Sequence, residues 1–294
     1  MPLKRPLISV IIPTYKRPRQ LERAVKSVLN QTYSNFELIV VNDSKEEEPI
    51  KKLVNGLGDK RIRYFRNQRK KGANGARNTG VINSFGRYIT FLDDDDCFIK
   101  DRLQSCCEFM QNTGYGIICT SFYAKNYHKK KQILYPRPFI SLENFLTEKS
   151  ARVDSIMIDT SKISKNEFLW EEGLQRHQDT ELLIRLLSKY KIYYLQKPLL
   201  ISNEHEVEFT AKILEESKKL LFKKTSNILE QTKSSAKNYF YAIHYRELAI
   251  YFGYEKKIKM MGKYLRLSLR FKILKPKKYI CFFLIVFKKI FHLS

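Results

Sequence analysis

In its first hundred residues the chain alternates short β-branched runs with segments whose apolar residues recur at helical spacing, and that alternation admits few architectures. Leu7–Ile12 (LISVII), Phe36–Val41 (FELIVV), Ile62–Phe65 and Arg87–Leu92 (RYITFL) are each short enough for a buried strand. Between them, Leu21, Ala24, Val25, Val28 and Leu29 mark one helix, Glu46–Leu57 a second, and Gly72–Asn83 a loop entering a third. Strands separated by helices imply a mostly parallel sheet with helices on both faces. In such sheets ligands gather outside the carboxyl ends of the strands. The polar clusters fall there: Thr14-Tyr15 after the first strand, Asp43 after the second, Asp93–Asp96 after the fourth.

Beyond Lys100 the pattern loosens. Leu103–Met110 reads as helix, Gly116–Phe122 as strand, and Lys129–Pro138 as a basic, proline-containing loop. Leu182, Leu183, Leu186 and Leu187 place a helix after His177-Gln178-Asp179. Ile192–Leu195 and Leu199–Ile201 read as two apolar pieces around Pro198. From Ala211 onward amphipathic helices are expected, although Lys263–Ile273 alternates basic and apolar residues with period two and leaves a strand open there. The organisation expected is an α/β domain over 1–210 and a helical, strongly basic extension over 211–294.

The basic excess sets the class of partner. Lys and Arg number 55 against 30 Asp and Glu, a net +25, which calls for a nucleotide, a nucleic acid or a membrane surface. Between Ala211 and Ser294, 20 basic residues face 5 acidic ones, and no acid follows Glu255. A hydrophobic content of 43% supplies a packed core and excludes disorder over the whole chain. Cys97, Cys106, Cys107, Cys119 and Cys281 show no metal-binding spacing and suit a reducing compartment. The start MPLKRPLISVIIP lacks signal-peptide architecture, and the longest apolar stretch, Tyr279–Phe287, is too short to span a bilayer. A cytoplasmic protein is therefore expected.

Several residues carry candidate chemistry. Asp93, Asp94, Asp95 and Asp96 follow an apolar strand directly, and four like charges in a row suit a hard divalent cation such as Mg²⁺ or Mn²⁺ that also bridges a diphosphate. On an extended segment Asp93 and Asp95 face the same way; the alternative is an acidic loop with Asp96 capping the next helix. Asp43 suits a base edge or a ribose hydroxyl, or is a turn aspartate in Asn-Asp-Ser. Lys71–Asn78 offers small residues, among them Gly72, and the cation Arg77 ahead of a helix, which suits phosphate or an ordinary capped helix. It is neither GxGxxG nor a Walker loop. Asp179, near a helix start, suits a general base or a dipole-favoured acid. His205 is a metal or phosphate contact, or a surface histidine between two glutamates.

Taken in order, SVIIPTYKR, VVND, GANGARNTG, GRYITFLDDDD and QRHQDTELLIRLL resemble the family 2 glycosyltransferases of the GT-A fold, the bacterial kind that builds capsule, lipopolysaccharide or cell-wall glycans. The resemblance is dense over Leu7–Asp96, moderate to about His205, and does not cover the tail. It implies a Rossmann-like GT-A domain that transfers a sugar, with inversion, from a nucleotide-sugar (a UDP-sugar in many members) to a hydroxyl of a glycan or lipid-linked acceptor. By resemblance Pro13, Thr14, Tyr15 and Arg17 line the nucleotide site, Asp43 hydrogen-bonds the base, and Gly72, Arg77 and Asp94 lie at the donor. Asp93 and Asp95 match the DxD motif, with Asp95 as direct ligand of Mn²⁺ or Mg²⁺; Asp94 and Asp96 give a second register. Asp179 matches the catalytic base, with Gln178 where the family often has Glu. His205 matches a late metal-site histidine.

Two other classes compete. A metal-dependent nuclease or phosphatase would use Asp93–Asp96 but leaves Asp43 and the SVIIPTYKR turn without a role. A nucleic-acid-binding protein would interleave basic and aromatic residues along a groove, whereas here the charge concentrates at the C-terminus. No nucleic-acid partner is expected. In the tail, Lys275–Lys289 (KPKKYICFFLIVFKK) bounds an apolar stretch with lysines and suits peripheral docking on an anionic membrane, or packing on the body.

Overall fold

The computed structural model describes residues 6–125, 130–133, 137–148, 151–203 and 209–271. The chain forms two compact units: Met1–Ser141, Ser150–Glu172 and Arg185–Glu206 make the first, and Leu142–Lys149, Gly173–Ile184 and Val207–Ser294 the second.

The first unit is built on a mixed sheet. Strands β1 (Ile8–Thr14) and β2 (Phe36–Asn42) are buried at every residue, as expected for strands covered on both faces. They pair in parallel with each other, β2 with β3 (Ile62–Arg66), and β1 with β4 (Tyr88–Phe91). Helix α1 (Pro18–Leu29) starts on a proline at its first position and buries Leu21, Ala24, Val25 and Val28, the stripe its spacing predicts. Helices α2 (Glu48–Gly56) and α3 (Ala73–Ile82) complete the alternation.

A charged cluster locks this part of the sheet. Glu37 on β2 accepts from Ser9 Oγ at 2.6 Å, from the Phe85 amide and from Arg63. Burial pushes its carboxyl up, but these bonds outweigh burial and hold it below the usual glutamate range.

Beyond β4 the sheet mixes direction. β5 (Cys97–Phe98), β6 (Ile117–Lys125), β7 (Lys130–Ile133), β8 (Phe139–Ile140), β9 (Ile156–Asp159) and β10 (Ile192–Asn203) complete the order β3-β2-β1-β4-β9-β6-β10-β5, with β7 on β6 and β8 on β10. Antiparallel β9 separates the parallel block from the parallel pair β6–β10. Helix α4 (Arg102–Thr113) precedes β6. The two apolar pieces around Pro198 are one strand, β10; its register shifts between Leu195, Pro198 and Leu200, because proline has no N–H for the ladder.

The described residues of the second unit are mainly helical. They form α5 (Leu142–Glu148), the start of α6 (Gln178–Leu187), α7 (Ala211–Glu230), α8 (Ser234–Tyr254) and α9 (Ile258–Arg270). The period-two stretch from Lys263 is helical as far as Arg270: Tyr264 and Ser268, four apart, are its buried residues. Tyr264 stacks on Phe252 with ring centroids 5.5 Å apart, and Ser268 Oγ donates to the Ala242 carbonyl at 2.8 Å. Among the described residues no helix is long and apolar enough to cross a membrane.

Candidate active site

Three parallel strands end at one cavity. The tips of β1, β2 and β4 and the first turns of α3 enclose about 260 Å³ lined by Pro13, Thr14, Tyr15, Arg17, Asp43, Ala73, Ala76, Arg77, Asp93, Asp94 and Asp95. This is the carboxyl edge of the sheet, where an open α/β fold offers backbone and side chains to a ligand. Nine of these residues are ones the sequence singled out.

Asp43 is fixed from two directions. Its Oδ1 accepts from Asn67 Nδ2, and its Oδ2 accepts from the Gly72 amide at 2.9 Å. Each oxygen retains a lone pair for a ligand. Gly72 does not line the cavity but sits at φ 126 just before α3, where a side chain is strained. Gly75 serves the chain's own packing rather than a ligand's approach: a Cβ there would meet the Lys70 carbonyl oxygen at 1.9 Å. Asn67 follows β3 as Asp43 follows β2, and the same strand-tip reasoning would have found it.

The four aspartates are not extended. Asp96 N donates to the Asp93 carbonyl at 3.1 Å, so Asp93–Asp96 is a turn and the alternating arrangement expected of Asp93 and Asp95 does not hold. The turn still presents Asp93, Asp94 and Asp95 to the cavity. Arg77, only 7% exposed, donates to Asp93 Oδ1 at 2.6 Å and lies 5.4 Å from the Trp170 ring centroid. Thr14 Oγ1 donates to Asp94 at 2.8 Å, and Arg17 Nη1 reaches Asp95 at 3.1 Å. Burial, with Asp95 and Asp93 alongside, pushes the Asp94 carboxyl up to about 6 against the pull of Thr14 and Arg17.

Asp101, not Asp96, precedes α4; Asp96 brings a carboxylate oxygen within 4.8 Å of those of Asp93 and Asp154. Its Oδ1 accepts from the Asn203 amide at 2.8 Å, and Arg152 lies 3.7 Å away. Asn203 Nδ2 donates to the Asp95 carbonyl, so the end of β10 holds the turn from beneath. Burial and Asp154 push the Asp96 carboxyl up. Burial acts on Asp154 in the same sense, but Arg152 outweighs it and holds that carboxyl down. Arg152, Asp154 and Asn203 had no sequence signal, because they meet Asp96 only through β9 and β10.

The start of α3 is latched by a loop. Asn78 Nδ2 donates to the Trp170 carbonyl at 3.0 Å, Asn78 Oδ1 accepts from the Trp170 amide, and Asn74 donates to the Glu171 carbonyl at 2.8 Å. These bonds set where Arg77 stands.

Asp179 belongs to the second unit, half-buried in the first turn of α6. His205 and Lys275–Lys289 lie outside the described residues.

The donor set fits a divalent cation. Asp93, Asp94 and Asp95 offer hard carboxylate oxygens on one cavity, and Asp93, Asp96 and Asp154 bring one carboxylate oxygen each within 4.8 Å of one another. A parallel-sheet edge carrying an aspartate after the second strand, an arginine on the helix after the third and an acidic turn after the fourth defines a class: α/β proteins with a ligand cleft at the strand tips.

The family described as glycosyl transferase family 2 matches residues 9–168, more than half of the chain, and the chain belongs to it. An uncharacterised glycosyltransferase of Rickettsia conorii is 40% identical over 119 residues, 40% of this chain and 20% of that protein. The putative colanic acid biosynthesis glycosyl transferase WcaA of Escherichia coli K12 is 31% identical over 194 residues, 63% of this chain and 67% of its own. A Campylobacter jejuni protein named GalNAc(5)-diNAcBac-PP-undecaprenol beta-1,3-glucosyltransferase is 40% identical over 114 residues, 38% of this chain and 36% of its own. The chain thus spans only a minor part of the R. conorii and C. jejuni proteins. Among solved structures, S. aureus TarS 1-349 in complex with UDP-GlcNAc superposes with a TM-score of 0.71 at 18% identity, over 96% of this chain and 88% of that one. The mannosyltransferase PcManGT of Pyrobaculum calidifontis, in complex with GDP-Man and Mn²⁺, gives 0.59 at 13% identity, over 100% and 89%. Both show the GT-A fold.

Proposed function

We propose that this chain is a metal-dependent, inverting glycosyltransferase of cell-surface polysaccharide synthesis, moving a sugar from a nucleotide-sugar to a hydroxyl of a lipid-linked glycan. The observation that carries the reading is the meeting of Asp43, Arg77 and Asp93–Asp95 around one cavity at the strand tips. A UDP-sugar is the donor of choice, since TarS was solved with UDP-GlcNAc. The lipid-linked acceptor follows the naming of the C. jejuni relative.

In this reading Asp43, held by Asn67 and Gly72, presents an acceptor to the base edge, and Tyr15, 44% exposed, offers a ring face beside it. Asp95, with Asp93, would hold Mn²⁺ or Mg²⁺, which supplies charge stabilisation to the departing diphosphate. His205 is a further candidate for that ion. Arg77, nearly buried and braced by Trp170, brings a fixed positive charge toward the phosphates. Asp179 accepts the proton of the attacking hydroxyl, and a single displacement inverts the anomeric centre. Pro13, Thr14, Arg17 and Asp94 shape the wall facing the nucleotide. The basic segment at 275–289 would dock on an anionic cytoplasmic membrane surface, bringing the enzyme to its acceptor.

The test is a panel of UDP- and GDP-sugars offered with undecaprenyl-diphosphate-linked acceptors, with and without Mn²⁺. Acceptor-dependent release of nucleoside diphosphate, with an inverted product, supports the reading. Metal-dependent cleavage of phosphate ester or anhydride bonds without glycosyl transfer would instead favour the nuclease or phosphatase class.

A further inference from the structure

His177, the residue before α6, has φ 61, a left-handed backbone that a non-glycine side chain adopts at a cost of about 1 kcal/mol or more. Its carbonyl accepts the first helical bond, from Glu181 N at 3.0 Å. The chain therefore turns into α6 at this residue, two positions before Asp179. Such a conformation persists only where the surroundings over-determine it.

The surroundings do so from two helices. His177 Nε2 lies 3.8 Å from Glu247 Oε2 on α8, and its ring meets the fully buried His244 ring edge-on at 4.9 Å. Lys218 of α7, with no exposed surface, donates to the same Glu247 oxygen at 2.6 Å and to the His244 carbonyl at 2.8 Å. His244 is backed by Phe240, centroids 4.3 Å apart. One residue earlier, the Arg176 amide donates to Ser217 Oγ at 3.2 Å and its guanidinium lies 4.2 Å from the Phe209 ring centroid. Residues 176 and 177 are thus held by α7 and α8 together.

A lysine without exposed surface paired to a half-buried glutamate stabilises a helical unit no better than apolar residues of the same volume. What this pair adds is direction: it fixes a carboxylate against the imidazole of the one strained residue at the α6 start. We infer that Lys218, Glu247 and His244 form a clamp on His177, making His177 a positioning residue that aims the first turn of α6 and with it Asp179. The inference rests on the reading of Asp179 as the base. Two imidazoles and a carboxylate are also a metal donor set, but the Glu247 oxygen nearest them is already held by Lys218 Nζ.

The experiment uses the full chain and the donor–acceptor pair that the panel of UDP- and GDP-sugars selects. His177→Gly relieves the left-handed strain, which offsets the added freedom of glycine in the unfolded chain, and removes the side chain that the clamp holds. It should melt at or above the parent temperature and bind nucleoside diphosphate and donor with unchanged Kd and KM. Its kcat should fall about tenfold to a hundredfold, the scale of a small misplacement of a reacting group. Glu247→Gln should reproduce that split between kcat and KM. A folded His177→Gly with kcat within about twofold of the parent, alongside an inactive Asp179→Asn, overturns the clamp alone. Full turnover in Asp179→Asn overturns the base reading and the inference with it. A rise in melting temperature with Zn²⁺ that Glu247→Gln abolishes replaces the clamp with a metal centre.

Discussion

Gly75→Ala sets two effects of known sign against each other. Gly75 lies in the first turn of α3, where alanine is intrinsically favoured over glycine by about 1 kcal/mol. Against this, the new Cβ would lie 1.9 Å from the Lys70 carbonyl oxygen and 3.0 Å from its carbon, both backbone. That is roughly 1.5 Å short of ordinary contact. Either α3 or the loop from Asn67 to Gly72 must move. That loop supplies both hydrogen bonds that fix Asp43, from Asn67 and from the Gly72 amide. Overpacking costs about 1–3 kcal/mol, and loosening a bond to a charged group costs about 1.5 kcal/mol more. The net is a loss of about 1.5–3.5 kcal/mol and weaker nucleoside diphosphate binding. At Gly262 on α9 an added methyl would have nothing within 4 Å, so Gly262→Ala should stabilise by up to about 1 kcal/mol. Urea denaturation of both variants reads the two signs side by side. A Gly75→Ala protein as stable as Gly262→Ala refutes the packing argument.

Other substitutions probe single groups. Asp179→Asn should lower turnover by a factor of about 10² to 10⁴, the usual contribution of a general base, while donor affinity measured by calorimetry stays unchanged; near-normal turnover removes Asp179 from the mechanism. Arg77→Ala loses a charge-assisted bond to Asp93 and a cation near the phosphates, so the Kd for nucleoside diphosphate should rise about tenfold to a hundredfold. Glu37 contributes to the acid sensitivity of the sheet. Its folded carboxyl titrates below the usual range, so its contribution is present above about pH 4.3 and lost as pH falls through the folded value. Melts from pH 7 to pH 3 should show Glu37→Gln destabilised at neutral pH and converging on the parent in acid; parallel curves contradict this.

The parallel half of the fold was legible because its strands are buried on both faces and spell that out in β-branched runs. β9 was not: four residues, Ile156–Asp159, carry too little periodicity to register. The helix at Ile258–Arg270 hid behind a period-two pattern, and only the contacts of Tyr264 and Ser268 reveal which residues face inward. The site shows the same division. Asp43, Arg77 and the aspartates stand at strand tips and a helix start, positions that local sequence predicts. Asn203, Arg152 and Asp154 reach Asp96 across the sheet. The turn conformation of Asp93–Asp96 likewise depends on bonds from Asn203, more than a hundred residues away.

The most direct measurement is calorimetric titration of the protein with UDP, GDP and CDP, each with Mn²⁺ and with EDTA, in the parent and in Asp95→Ala. Binding of one nucleoside diphosphate that needs Mn²⁺ and disappears in Asp95→Ala is the predicted result. Equal binding in EDTA, or no binding of any of the three, would contradict the account.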